Sequence, residues 1–458
     1  MPRPVWIADL TTSGHVVACD QDGAVFDATS PFDFAELAAA AGALVWTEGT
    51  ELQIGLAELA IDRGLEIDVI LGRGDGINMS LRAVLVGKAT IVDRTMLLPD
   101  SGLRAILGEL RIEPMPKADS VFEAEARIAV LHAAMDEWQG RITNVALLQP
   151  KISVGATAAG IIPRTWRKAA QLLQRNEDWQ WVRGAYYGGR IQCYRPGFEG
   201  NATEYDLRAA YGWSLSLQLP DWKLYDRGTY LPVQDPVWLE CTVDVSGEPG
   251  PLPVRADDDS LSWPTSGRWR GVWTRMDLEQ DGVQVVEIHK ARAGRWSDDL
   301  RRPVSRWLEL RELTDSKVDR VLLRLLCCSV AGKLCQRPLT WKLWRSAYEP
   351  PEGAQPLAID RPVFAIPSIP LRWPFTCPQT GSYVTARVRR KVRPALQDPR
   401  CIYTDTDSAH YPADIDPPLT CGPAAGQWAK KESGHAVYGG VRQYRIADKT
   451  VGSVVLRR

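Results

Sequence analysis

Tyr403-Thr404-Asp405-Thr406-Asp407-Ser408 is the stretch that decides how the rest of the chain is read. Cys401 and Ile402 precede it, and Ala409, His410 and Tyr411 follow. Apolar flanks around a short acidic centre predict two strands joined by a tight turn. Asp405 and Asp407 are two apart, so in extended chain both side chains point to one face. Two carboxylates that close repel, and one would normally protonate. A bound divalent cation removes the conflict. The competing reading is a solvated Asx-type turn, because Asp, Thr and Ser all favour turns.

Composition narrows the class of protein. A chain of 458 residues is long enough for two or three domains with substantial cores. Its 45% hydrophobic and 24% charged residues are those of an ordinary soluble globular protein. No apolar run approaches membrane-spanning length, and Met1-Pro2-Arg3-Pro4 lacks the pattern of a signal peptide. Nine cysteines show no CxxC pair, and Cys327 and Cys328 are adjacent, which suits a reduced, cytoplasmic protein with no membrane association. The net charge of −1 averages over basic regions. Lys290 to Arg345 holds fourteen Lys/Arg against six Asp/Glu, and Arg387 to Arg400 holds six against one, Asp398. Both stretches are candidates for local basic surface or for ordinary solvated faces.

Along the chain, residues 1 to about 140 alternate β-like runs, such as Val5-Trp6-Ile7-Ala8 and Ala43-Leu44-Val45-Trp46, with helical stretches at Phe32–Ala41 and Val121–Trp138. An α/β domain follows from that alternation. Pro150–Pro163 reads as a connector and Trp166–Gln180 as a helix. The paired glycines of Tyr186-Tyr187-Gly188-Gly189-Arg190 allow a bend or a close backbone approach. Residues 191–290 read as β-rich. Helices are expected over Asp299–Leu313 and Lys317–Lys333, with Asp315 or Ser316 capping the second. Residues 338–380 read as loop with short strands.

A second acidic centre, Thr203-Glu204-Tyr205-Asp206-Leu207, sits where a strand ends. Between the two centres lies the basic helix, with Arg320 and Arg324 one turn apart, followed by Ser329, Gly332 and Lys333. Two carboxylate clusters and a cationic helix are what in-line phosphoryl transfer at two metals requires.

These segments together resemble family B DNA polymerases, particularly the protein-primed phage branch. Asp206-Leu207-Arg208-Ala209-Ala210-Tyr211 resembles motif A. Arg324 through Lys333 resembles motif B, and Tyr403 to Ser408 matches the YxDTDS of motif C. Tyr186 to Gly189 is similar to the linking Tyr-x-Gly-Gly, Thr385 to Arg390 to the template-primer segment, and Arg442-Gln443-Tyr444 to the primer-gripping Lys-x-Tyr. The order of the six segments, spanning about 186 to 444, is the family's order. The resemblance implies an α+β fold with a right-hand polymerase palm and short two-helix fingers, preceded by an exonuclease-like (RNase H-like) α/β domain. Its implied boundaries are 1–145 for the exonuclease-like domain, 146–200 for the connector, 201–300 and 338–458 for the palm, and 301–337 for the fingers, with no evident thumb.

The implied chemistry is addition of deoxynucleotides to a primer end, with two Mg2+ or Mn2+ ions as cofactors. Asp206, Asp405 and Asp407 are the implied catalytic carboxylates, and Asp206, Leu207 and Asp407 the implied metal ligands. Tyr211, Arg320, Arg324, Cys328 and Lys333 would meet the nucleotide. Tyr187, Gly188, Gly189, Thr385, Arg389, Arg442 and Tyr444 would meet the DNA template-primer. A priming protein or processivity partner is compatible with this branch. The rival readings are a primase-like or protein-primed initiator and a degenerate DNA-binding scaffold. Departures from the family pattern are Arg324 for Lys, Cys328 for Asn, Ala331 for Tyr and Gly212 for Pro. In the amino-terminal domain, Thr11 stands where the exonuclease needs Glu, and the segments near Trp46–Gly49 and Ser120–Glu125 lack its other motifs. An exonuclease-like domain without proofreading activity is therefore expected.

Overall fold

The computed structural model describes residues 5–452 apart from 12–14, 21–23, 48–51, 55, 58–67, 74–78, 87–88, 114–116, 119, 152, 174–176, 227–233, 257–259, 337–339, 346–354, 357–362 and 369–375. The chain divides into two compact units. One comprises Met1–Gly160, Thr314–Leu326 and Arg337–Trp373; the other comprises Ile161–Leu313, Cys327–Gln336 and Pro374–Arg458.

The first unit is built on a mixed sheet. Val5–Leu10, Val16–Asp20 and Val25–Ala28 form an antiparallel meander, and Leu44–Thr47 and Ala89–Asp93 continue it in parallel from Val5–Leu10. The two parallel pairings need crossovers, and one is supplied by the helix Pro31–Ala41. That helix starts where Ser30 accepts a hydrogen bond from the Asp33 amide and Pro31 occupies the first turn, and it stops at Gly42, whose φ of 64° is left-handed. Trp6, Ala8, Val16, Ala18, Phe34, Ala38, Val45 and Ile91 form the buried core between helix and sheet. The helix Val121–Asn144, capped by Ser120, packs against Val5–Leu10 and Val16–Asp20. The other edge is extended by Asp68–Arg73 and Met79–Val86 and then by Thr340–Arg345 and Val363–Ser368. Part of the proline-rich stretch after residue 338 thus completes a sheet begun at residue 5.

The second unit carries a seven-stranded sheet, antiparallel throughout, in the order Lys449–Val451, Gln443–Ile446, Trp428–Gly440, Glu199–Leu207, Ser408–Pro412, Tyr403–Asp405, Ile191–Cys193. The helix Pro378–Gln397 packs against it, and Val388, Val392, Ala395 and Leu396 share a core with Leu207, Ala409, Tyr411 and Trp428. The first turns of this helix are buried although polar, because each side chain has a partner. Thr380 donates to the Pro220 carbonyl at 2.7 Å, Ser382 accepts from the Trp238 indole at 2.9 Å, and Tyr383 donates to the Val237 carbonyl at 3.0 Å. In a separate three-stranded sheet, Val237–Ser246 is the central strand, antiparallel to Ser266–Thr274 on one side and to Val283–Ala293 on the other, with a core around Trp273.

The helices Arg301–Leu313 and Lys317–Cys335 lie close to their expected bounds, with Thr314-Asp315-Ser316 between them. Ser316 caps the second, accepting from the Asp319 amide at 3.1 Å. Glu109 reinforces that cap within the first unit, accepting from Ser316 at 2.8 Å and from the Val318 amide at 3.2 Å. Burial works against the Glu109 carboxylate, but these donors and Arg141 outweigh it and hold it below the usual carboxylate range.

Candidate active site

Asp405 closes the strand Tyr403–Asp405, and Ser408 opens the strand Ser408–Pro412, with Asp405 and Ser408 paired. Thr406 and Asp407 make the turn between them. Thr406 has φ of 62°, a conformation uncommon for a β-branched residue. Three bonds hold it there: the Thr406 amide donates to the Arg190 carbonyl at 2.7 Å, the Asp407 amide to the Asp405 carbonyl at 2.7 Å, and Thr404 Oγ1 to the Ser408 carbonyl at 2.7 Å. Gly189 is required by the same turn. A Cβ on it would lie 2.5 Å from Thr406 Cγ2 and 2.7 Å from Thr406 Cα.

The turn corrects the expectation that Asp405 and Asp407 share a face of extended chain. Left-handed Thr406 takes Asp407 out of the strand. What faces Asp407 is the neighbouring strand Glu199–Leu207, where Asp206 pairs with Ser408 and the Leu207 amide donates to the Asp407 carbonyl at 2.8 Å. Burial, then Asp206, push the Asp407 carboxyl up to about 7, with Asp405 and Glu204 adding in the same direction. Lys431 stands 4.0 Å from Asp206. Asp405 keeps its carboxylate near Thr406, accepting from its hydroxyl at 3.0 Å.

After Leu207 the chain turns through Ala209, at φ of 47°, into the short helix Ala210–Leu215, which carries Tyr211. Burial, then Asp407, raise the Tyr211 phenol, and Tyr186 and Cys328 act on it as well. Tyr211, Cys328 and Asp407 are thus electrostatic neighbours. Gly212 permits this packing, since a Cβ there would meet Leu308 at 3.0 Å and Cys327 at 3.4 Å. Along Lys317–Cys335, Arg320, Arg324, Cys328 and Gly332 recur every fourth residue on one exposed stripe. Arg320 bonds the Thr314 carbonyl at 2.9 Å, while burial pushes Lys333 down to about 8 and its ammonium bonds Gln336 at 2.7 Å.

Residues expected at the DNA divide into two groups. Arg442 is exposed, its amide donating to Tyr403 Oη at 3.1 Å, and Gly188 and Gly189 lie beside the turn. Tyr187, Thr385, Arg389 and Tyr444 are buried and bonded within the fold. Tyr187 donates to the Val272 carbonyl at 3.0 Å, and Thr385 to the Ser382 carbonyl at 3.1 Å. Arg389 bonds Asp277 at 2.7 Å and the carbonyls of Tyr187 and Gly188. Tyr444 stacks on Tyr438 at 5.4 Å and lies 4.8 Å from Tyr403. The basic stretch of residues 387–400 is likewise largely engaged: Arg387 bonds the Ser214 and Gln218 carbonyls, and Arg400 bonds Asp398 at 2.6 Å.

Sequence reading did not single out the group behind the carboxylates. Glu204 is buried and accepts from Lys449 at 2.7 Å through both oxygens. His410, pushed down to about 3 by burial and then by Lys449, is a neutral imidazole against Tyr438 Oη at 2.8 Å. Only the alternation Glu204-x-Asp206 hinted at Glu204, since both then share a strand face.

Among the described residues, no cluster of three or more His, Cys, Asp and Glu has the arrangement of a metal site. The donor set nevertheless fits a divalent cation: two adjacent carboxylates, Asp206 and Asp407, and the Leu207 carbonyl are all hard oxygen ligands. The Asp407 carboxyl is held up by a charge conflict that a cation relieves. In the first unit the corresponding question has a different answer. Buried Asp9 lies 3.3 Å from the Arg127 guanidinium. Thr11 is buried and binds the backbone of His15, and Thr47 accepts from Gln53 at 2.6 Å. Glu48 and Gly49 lie outside the described residues. Among the described residues no helix is long and apolar enough to cross a membrane.

No protein-family model matches the chain, and no curated protein matches it. Solved structures do. The chain is similar to phi29 DNA polymerase complexed with primer-template DNA and incoming nucleotide substrates, with a TM-score of 0.71 and 15% identity over 99% of this chain and 90% of that one. Phi29 DNA polymerase complexed with single-stranded DNA gives 0.69 at 14% identity over 98% and 90%. An orthorhombic crystal form of the same polymerase gives 0.70 at 15% over 99% and 90%. At such identity the likeness is one of fold.

Proposed function

We propose that a chain with the fold of phi29 DNA polymerase, carrying Asp206 and Asp407 side by side, is itself a template-directed DNA polymerase. The observation that carries this reading is the pair of carboxylates brought together from the strand Glu199–Leu207 and the Thr406-Asp407 turn beside it, with Asp407 raised to about 7. Groups so perturbed at the end of paired strands are the mark of a functional site. In this reading the seven-stranded sheet is the palm, the helices Arg301–Leu313 and Lys317–Cys335 are the fingers, and the amino-terminal unit is an exonuclease-like domain.

Asp206, Asp407 and the Leu207 carbonyl would hold Mg2+ or Mn2+. When bound, such ions stabilise charge on the attacking and leaving oxygens of phosphoryl transfer. The chain's own residues do the rest. The Leu207 amide and the Thr406 turn fix the Asp407 backbone, so that its carboxylate is held rather than searching. Asp405 supports the turn. Tyr211, half-buried beside Asp407, would form the floor under the sugar and exclude a 2′-hydroxyl. Lys333, lowered to about 8 by burial, would have its ammonium form favoured by a bound triphosphate. Arg389 acts on DNA through the Tyr187-Gly188 backbone that it braces.

The amino-terminal domain would not proofread, because the Arg127 guanidinium stands beside Asp9 where a metal would have to bind. Extension of a labelled primer on a defined template with magnesium tests the reading, together with the Asp206→Asn and Asp407→Asn variants. Template-dependent extension lost in both variants supports it.

A further inference from the structure

The turn at Thr406 also closes a cavity of about 20 Å³ whose polar lining is Arg190, Trp263, Gln280, Arg389, Arg393 and Thr406. That volume admits one oxygen-sized guest. Its charge is unbalanced. Arg389 is neutralised by Asp277 at 2.7 Å. Arg190 is only 6% exposed, yet its guanidinium meets neutral groups: the Gly250 carbonyl at 2.8 Å, Gln192 Oε1 at 2.8 and 2.5 Å, and the Trp263 ring at 5.0 Å. Arg393 donates to Gln280 Oε1 at 2.8 Å and to the Asp281 carbonyl at 2.5 Å, and its buried Nε has no hydrogen-bond partner. Among the described residues neither Arg190 nor Arg393 has a carboxylate in ion-pair contact, although the Asp281 carboxylate acts on Arg393 from further off. A guanidinium withdrawn from water with no carboxylate acting on it, as at Arg190, is costly unless an anion arrives from outside. Arg393 is half-buried, and its helical neighbours Arg390 and Lys391 are exposed.

We propose that this cavity is a phosphate subsite, taking one non-bridging oxygen of a DNA phosphodiester, with Arg393 as the principal contact and Arg190 behind it. The guest is one oxygen of a larger group, because the cavity has no room for a whole phosphate; the remainder must lie outside, as a backbone phosphate does. The apolar part of the wall, Pro251, Pro253, Val392 and Leu396, limits water at the contact and strengthens it. The inference rests on the polymerase reading and adds a subsite to it.

Counterion release gives a readout that a purely structural arginine would not move. Each phosphate contact contributes about 0.9 to the slope of log affinity against log salt on duplex DNA. Primer-template binding should be measured by fluorescence anisotropy across salt for the unmodified chain and for Arg393→Gln, Arg393→Lys and Gln280→Glu. Arg393→Gln is expected to lose about fivefold in affinity and about 0.9 in slope, while Arg393→Lys keeps the slope. Gln280→Glu places a carboxylate on Arg393 and should reproduce the loss even if Arg393→Gln fails to fold. Inorganic phosphate at constant ionic strength should leave the slope of the unmodified chain unchanged; if it lowers that slope, the site takes free anions and the proposal is overturned. An unchanged slope in Arg393→Gln and Gln280→Glu, beside normal primer extension, means an enclosed water only and overturns this inference alone. Absence of DNA binding by the unmodified chain would overturn the polymerase reading with it.

Discussion

Asp407 is the residue at which folding and function oppose each other. In an unfolded chain its carboxyl titrates near 3.8, and in the folded protein near 7. Between those values the folded state holds the extra proton, so stability is greatest below the unfolded value and falls as pH rises toward 7. The metal-free protein should therefore be less stable at pH 8 than at pH 5. Asp407→Asn should remove that slope and stabilise the protein at pH 8 by about 1–3 kcal/mol. Urea unfolding in the presence of a chelator measures both quantities; an Asn variant that keeps the slope would place its origin elsewhere. Tyr211 carries a second prediction at this scale. If its ring lies under the sugar, the unmodified chain should prefer deoxynucleotides, and Tyr211→Ala should admit ribonucleotides by at least tenfold more. Competition between the two sugars in single-nucleotide incorporation decides this, and equal use by the unmodified chain would refute the gate.

At the scale of elements, the hairpin at residues 403–412 depends on a strand that sequence neighbours cannot supply. The acidic hexamer identified the turn and its flanking strands, because polar turn formers between apolar runs are a local signal. It did not identify what Asp407 faces, because the Leu207 bond and the Asp206–Ser408 pairing join segments two hundred residues apart in sequence. The same limit applies to charge. Counting six basic residues from Arg387 to Arg400 marked a candidate DNA face, yet carbonyls and Asp277 take up Arg387 and Arg389, and composition carries no trace of those partners. Paired glycines after Tyr187 were legible as a site of close approach, and the close approach is to Thr406 itself. Gly189→Ala should therefore press a methyl group into the turn, costing about 1–3 kcal/mol and reducing catalysis while leaving the Val5–Leu10, Val16–Asp20 and Val25–Ala28 strands of the first unit intact. Thermal unfolding with activity measured on the same preparation checks this; a variant with unaltered stability and rate would show that the approach is relaxed in solution.

For the whole molecule, helical periodicity and strand alternation marked helices and strands, but not how they are divided between the two units, and strand order stayed hidden. Trp341 and Lys342 pair with Val69 and Asp68, and nothing local in either segment specifies the other. In the amino-terminal unit the buried Asp9 carboxylate, which on the proposed reading would be a proofreading metal ligand, faces Arg127. A mismatched primer end should consequently persist with magnesium and no nucleotides. Shortening of that primer by the purified chain, abolished by Asp9→Ala, would show that Arg127 yields the site to a metal.

The central claim is that Asp206 and Asp407 form one catalytic pair, and a single measurement bears on it most directly. Purified unmodified chain, Asp206→Asn and Asp407→Asn should each be given a labelled primer on a defined template with magnesium and all four deoxynucleotides, with folding verified by unfolding transitions. Extension by the unmodified chain and a loss of at least a thousandfold, about 4 kcal/mol of transition-state stabilisation, in both folded variants is the predicted result. Extension by either variant at a rate near that of the unmodified chain would contradict the account.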